Sequence, residues 1–213
     1  GQTPGMWEKS LRQACELDVQ HISAYHLIYE KQTKLYALLQ KGSVRPVTDE
    51  ASTEMFSILI DTLAQNGFEH YEISNFAKDK KYSVHNTSYW KNEKYIGLGP
   101  SAHSYNGKSR SWNVASLEKY ITEIQSGRLL QETEKLNSVQ KYNEFILTGL
   151  RTMWGVNLNL LKEEFGQELL DYCLQNARKF IREGLIISKD NSLIMTRKGI
   201  FISDGIMSEL MRV

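Results

Sequence analysis

His21-Ile22-Ser23-Ala24-Tyr25-His26-Leu27-Ile28-Tyr29 decides the fold class. The run is dense in β-branched and aromatic residues and reads as a strand. A helix is expected over 50–65, where Met55, Phe56, Leu59, Ile60 and Leu63 recur at helical spacing. Thr48 or Asp49 would cap it, and Asn66-Gly67 would stop it. Residues 68–74 then read as a second strand. Strand, helix and strand in succession argue for α/β layers with some parallel pairing.

Nearer the N-terminus, Thr3-Pro4 offers an N-cap and a first-turn proline for a helix carrying Met6, Trp7, Leu11, Ala14 and Cys15. A short helix is expected over 33–40. Residues 95–105 form another β-like run. Asn106-Gly107 is a hairpin turn with a returning strand over 110–114. Ser116 would cap a helix to about 124. The character changes near 125–135. Helices are expected over 139–153, 158–165 and 168–182, the second closed by Gly166. Two short strands, 185–188 and 192–196, and a helix over 198–211 complete the chain. Three helices and a hairpin describe a winged-helix-like α+β module.

The 213 residues suit one large domain or two small ones. A hydrophobic content of 41% is enough to bury a core and excludes a disordered chain. The net charge of +1 gives no general case for nucleic acid. No signal peptide opens the chain and no apolar run could span a bilayer, so a cytoplasmic protein without a transmembrane segment is expected. Cys15 and Cys173 are far apart, which argues against a cysteine-held metal site. The sequence begins at Gly1, so a processed, tagged or shortened chain is expected.

Polar and aromatic residues concentrate between Tyr71 and Trp112: Glu72, Ser74, Asn75, His85, Asn86, Tyr89, Trp90, His103 and Tyr105. Between Lys78 and Arg110 stand seven basic and two acidic residues, an excess suited to carboxylates or phosphates. The plainer reading is a solvated lysine-rich loop beside a core edge. No HxH or HxxxH pair occurs among the five histidines, so a zinc site is not expected. His26 would share a strand face with Ala24 and Ile28. His103 follows Gly97 and Gly99, which would let a ligand or another backbone approach closely. Gly97-Leu98-Gly99-Pro100 lacks the third glycine of a dinucleotide loop. The helix over 168–182 has mixed charge, which weakens a DNA-binding reading.

Several runs together resemble one family. They are Gly1-Gln2-Thr3-Pro4, residues 21–27, Tyr71-Glu72-Ile73-Ser74-Asn75-Phe76-Ala77, and His85-Asn86 with Tyr89-Trp90. Residues 97–105, Trp112-Asn113-Val114, 144–151 and 196–204 continue the match. The chain resembles the HemN/HemW family, the oxygen-independent coproporphyrinogen III oxidase-like radical S-adenosylmethionine (SAM) proteins. His85-Asn86 with Tyr89-Trp90 resembles the HemW branch, whose members bind heme and deliver it to acceptor proteins. Val84 departs from the arginine often found there.

The resemblance implies the C-terminal half of a (β/α) radical SAM barrel over 1–127, then a winged-helix-like domain over 128–213. It implies a [4Fe–4S] cluster and SAM in the full-length protein, held by a CxxxCxxC motif absent here. No cofactor is expected on this segment, and radical chemistry is not expected of it alone. Ile28 and His103 would fall on the SAM side. His26, His85, Asn86, Tyr89 and Trp90 would line the heme or porphyrinogen side. His26, His85 and His103 are the candidate heme ligands. The alternatives are the decarboxylating oxidase and a winged-helix module binding protein or DNA. Exposed barrel edges would let two copies pair.

Overall fold

Thr3 opens the first helix, α1 (Pro4–Glu16), by accepting a hydrogen bond from Met6 N, with Pro4 in the first turn. The computed structural model describes residues 1–213. Its contacts gather into two units, Gly1–Ser83 and Val84–Val213.

In the first unit α1 is followed by β1 (His21–Ser23), α2 (Lys34–Gln40), α3 (Asp49–Gln65), β2 (Glu69–Glu72) and β3 (Asn75–Ala77). Thr48 caps α3 by accepting from Ala51 N, and Asp49 and Glu50 suit the positive helix start. The apolar faces of α1 and α3 meet over Leu11, Leu59 and Leu63, with Phe68 and Phe76 from the sheet side. Trp7 Nε1 donates to Met55 O at 2.9 Å and fastens the two helices.

The strand order is β1-β3-β2, and both ladders are antiparallel. The expected parallel pairing is therefore absent. The two strands flanking α3 do run the same way, but β3 turns back at Ile73-Ser74 and inserts between them. The expected single strand over 68–74 is thus one arm of a hairpin. The expected strand over 21–29 ends at Ser23. Residues 24–30 are irregular, and Tyr25, Leu27 and Ile28 are exposed. His26 and Ile28 consequently do not share a strand face.

The second unit begins with α4 (Val84–Trp90), β4 (His103–Tyr105), β5 (Ser109–Asn113), α5 (Leu117–Gln125) and β6 (Gln131–Lys135). Only the end of the 95–105 run is a strand; Tyr95 joins it by an isolated bridge to Tyr105. The Asn106-Gly107 turn forms, with three loop residues. Asn106 Oδ1 accepts from Lys108 N and Ser109 N, and Gly107 takes φ +89°. A strand at 131–135 is not expected from its residues. Gln131-Glu132-Thr133-Glu134-Lys135 carries no apolar residue, because β6 is the charged, exposed edge beside β5.

The chain continues through α6 (Ser138–Leu150), β7 (Val156–Asn157), α7 (Leu158–Arg182), β8 (Ile186–Lys189), β9 (Ser192–Met195), α8 (Arg197–Ile200) and α9 (Ser203–Leu210). Asn137 caps α6 in a capping box with Gln140. The two helices expected around Gly166 run together as α7, and Gly166 at φ +84° and ψ 175° breaks the helical path between them. The last expected helix is interrupted at 201–202. Tyr142, Ile146, Leu161, Cys173, Leu193 and Leu210 are fully buried in one core. The Tyr142 hydroxyl donates to Leu210 O at 2.9 Å.

Candidate functional site

The helical run His85-Asn86-Thr87-Ser88-Tyr89-Trp90 divides its side chains by period. His85 and Tyr89, four apart, share one face and meet edge-to-face at 4.9 Å between ring centroids. Both are exposed. Thr87 and Trp90, three apart, turn inward. Trp90 lies under the Arg151 guanidinium at 5.2 Å, a cation–π contact, and its Nε1 is buried without an acceptor. Asn86 is half-buried between the two faces.

From His85 the aromatic contacts continue. Tyr89 meets Tyr95 edge-to-face at 4.7 Å, and Tyr95 meets Tyr105 at 6.1 Å. Burial pushes the Tyr105 hydroxyl up, aided by the charge of Glu144. Arg110 lies over Tyr105 and makes two hydrogen bonds to Glu144, at 2.8 and 3.1 Å. A cleft of about 570 Å³ opens at Tyr95 and Tyr105, with Lys94, Ser104, Ser109 and Ser111 on its walls. Its size falls in the range of small-molecule sites.

The glycine run beside this array serves backbone packing. A Cβ on Gly97 would stand 2.1 Å from the His103 carbonyl oxygen, so the close neighbour is backbone. Gly99 takes φ +107°, a conformation that favours glycine. Asn113, 1% exposed, donates from Nδ2 to Gly97 O and Gly99 O and accepts from Gln131 Nε2. His103 is exposed on β4, its ring 5.8 Å from Trp112.

The remaining expected residues belong to the first unit. His26 is exposed and its Nδ1 is 3.2 Å from Ser52 Oγ; Ile28 is exposed. The polar cluster read between Tyr71 and Trp112 therefore divides. Its first-unit part is a buried network: Glu72, 2% exposed, accepts from Ser74 N and Asn75 Nδ2, and Asn75 Oδ1 accepts from Ser23 Oγ. His21 Nε2 is 2.8 Å from the Tyr71 hydroxyl, which also accepts from Ser83 N. Desolvation lowers the His21 pKa below 6.5 and raises that of Tyr71.

Four of the seven basic residues have separate employments. Lys78 lies over Phe68 at 4.5 Å, Lys91 over Trp154 at 5.9 Å, and Arg110 holds Glu144. Lys94 lines the cleft. In the sequence Lys94 stands out only as a charge and Tyr95 only as part of a strand-like run. The spacing of Tyr89 and Tyr95 from His85 was the available signal, visible once 84–90 is known to be helical.

The donor set does not fit a thiolate-held iron–sulfur cluster. Cys173 is buried, its thiol pushed up to about 11 by desolvation, and Cys15 stands in the other unit. No group of three His, Cys, Asp or Glu side chains is placed to hold a metal ion. No helix is long and apolar enough to cross a membrane.

Comparisons with known proteins converge on one family. Residues 136–202 match the HemN C-terminal domain family. The chain is 34% identical over 200 residues to the heme chaperone HemW of Bacillus subtilis, covering 93% of this chain and 53% of that protein. It is 29% identical over 229 residues to the mitochondrial radical S-adenosyl methionine domain-containing protein 1 of Danio rerio, covering 99% and 50%. The structure of Escherichia coli coproporphyrinogen III oxidase (HemN), a radical SAM enzyme, superimposes with a TM-score of 0.74 at 16% identity, covering 98% of this chain and 52% of that one. That likeness shows a shared mixed α/β fold. The chain spans about half the length of the curated relatives it matches. It belongs to the HemN/HemW family and carries the family's C-terminal domain.

Proposed function

We propose that this chain is the heme-handling C-terminal portion of a HemW-type radical SAM protein, which binds heme and passes it to acceptor proteins. The observation that carries the reading is His85. Its imidazole is exposed, no protein group hydrogen-bonds either ring nitrogen, and its ring stands at the end of a run of edge-to-face aromatic contacts that offers apolar surface beside it. His26, by contrast, has Ser52 at Nδ1. His103 lies outside that array and is the second candidate.

In this reading residues 1–127 are the C-terminal part of a SAM barrel and 128–213 a winged-helix-like domain. The [4Fe–4S] cluster and SAM belong to the longer protein, with Ile28 and His103 on the SAM side. Asn86 and Trp90 back the heme face from within α4. No observation favours the decarboxylating oxidase or a DNA-binding module. Hemin titration of the chain and of its His26→Ala, His85→Ala and His103→Ala variants tests the reading. A Soret shift lost in His85→Ala alone supports it; no shift in the unaltered chain overturns it.

A further inference from the structure

The cleft at Tyr95 and Tyr105 has a chemistry the heme reading does not yet use. Its walls combine two phenol rings with the hydroxyls of Ser104, Ser109 and Ser111 and one ammonium, that of Lys94. Lys94 makes no ion pair. Its stem crosses the hairpin turn, with Cε 3.4 Å from where a Cβ on Gly107 would stand. The adjacent cation, Arg110, is already neutralised by Glu144. One uncommitted positive charge among neutral hydroxyl donors favours a carboxylate.

Neither His85 nor Tyr89 lines the cleft, but aromatic contacts connect His85 to its wall. Two successive ring contacts, 4.9 and 4.7 Å, lead from His85 through Tyr89 to Tyr95, which forms the cleft wall. A macrocycle ligated at one end of this array would extend its edge toward the other. Heme carries two carboxylate side chains on one edge of an otherwise apolar ring.

We infer that the Lys94 cleft is the carboxylate subsite of the heme site, receiving a propionate on Lys94 and the serine hydroxyls while His85 takes the iron. This rests on the heme reading. It assigns orientation: the propionate edge lies toward the β4–β5 hairpin, and the opposite edge is left free.

Titration with hemin and with hemin dimethyl ester, whose carboxylates are blocked, tests it on the full chain. The unaltered chain is expected to bind the ester about tenfold more weakly than hemin. Lys94→Ala is expected to lose about tenfold for hemin, to leave the ester's affinity unchanged, and to recover with Lys94→Arg. Equal affinity of the unaltered chain for hemin and ester overturns the subsite, as does an equal loss for both ligands in Lys94→Ala. If hemin binds through His85 but ignores Lys94, only the subsite falls. If hemin does not bind at all, the heme reading falls and takes the subsite with it.

Discussion

Arg110 grips Glu144 through both carboxylate oxygens, at 2.8 and 3.1 Å, and so ties β5 to α6. Both side chains are about three-quarters buried or a little less, so water screens the pair only partly. The hydrogen bonds to Glu144 hold the Arg110 pKa above its ordinary value. Arg110→Ala is expected to cost about 1–2 kcal/mol. Urea unfolding of Arg110→Ala, Glu144→Gln and the double variant measures the coupling. A double variant no worse than either single one is the expected result; strictly additive losses would show that the pair does not interact.

Asn113, almost wholly buried, holds the loop before β4 by two side-chain hydrogen bonds and accepts a third from Gln131 on β6. Asn113→Ala leaves two carbonyl oxygens without that donor, and a loss of about 2–3 kcal/mol is expected. Asn113→Asp is expected to be worse, because a carboxylate would face both carbonyls. Chemical denaturation decides between these outcomes and a neutral substitution.

Gly97 permits the same loop to lie on β4. A methyl group there collides with the His103 carbonyl oxygen, and backbone cannot give way as a flexible side chain would. Gly97→Ala is expected to destabilise the second unit and to perturb the amide signals of residues 95–105. An unchanged spectrum would contradict the close approach. Gly99→Ala acts differently, through its positive φ.

His21 makes stability depend on pH. Desolvation lowers its folded-state pKa below the ordinary 6.5, so the folded chain favours the neutral ring. Above about pH 6.5 both states are neutral and the full stability is present. Below it the unfolded chain takes up the proton first, so stability falls as pH falls toward the folded-state value. Melting temperatures between pH 7.5 and 5 are expected to drop less in His21→Gln than in the unaltered chain. Equal slopes would remove His21 as a source.

The sequence revealed the helices better than the sheets. Capped, periodic segments such as 49–65 and 117–125 lie where their spacing puts them, because one apolar face suffices to define a helix. The strands are short, and their pairing depends on partners far away in the chain. Tyr25, Leu27 and Ile28 look strand-like by composition yet leave the ladder after Ser23. Gln131-Glu132-Thr133-Glu134-Lys135 looks unlike a strand yet pairs along its whole length with β5. Of the candidate site, His85 and Tyr89 were legible as a motif. Their common face needed the helix α4, and the link to Tyr95 and the Lys94 cleft needed the fold.

In the proposed site His85 presents its imidazole to heme iron. Hemin titration of His85→Gly, with and without added imidazole, tests it most directly. A Soret shift is expected in the unaltered chain, with its loss in His85→Gly and its return when free imidazole fills the vacated position. A His85→Gly chain that binds hemin with the unaltered spectrum and affinity would contradict it.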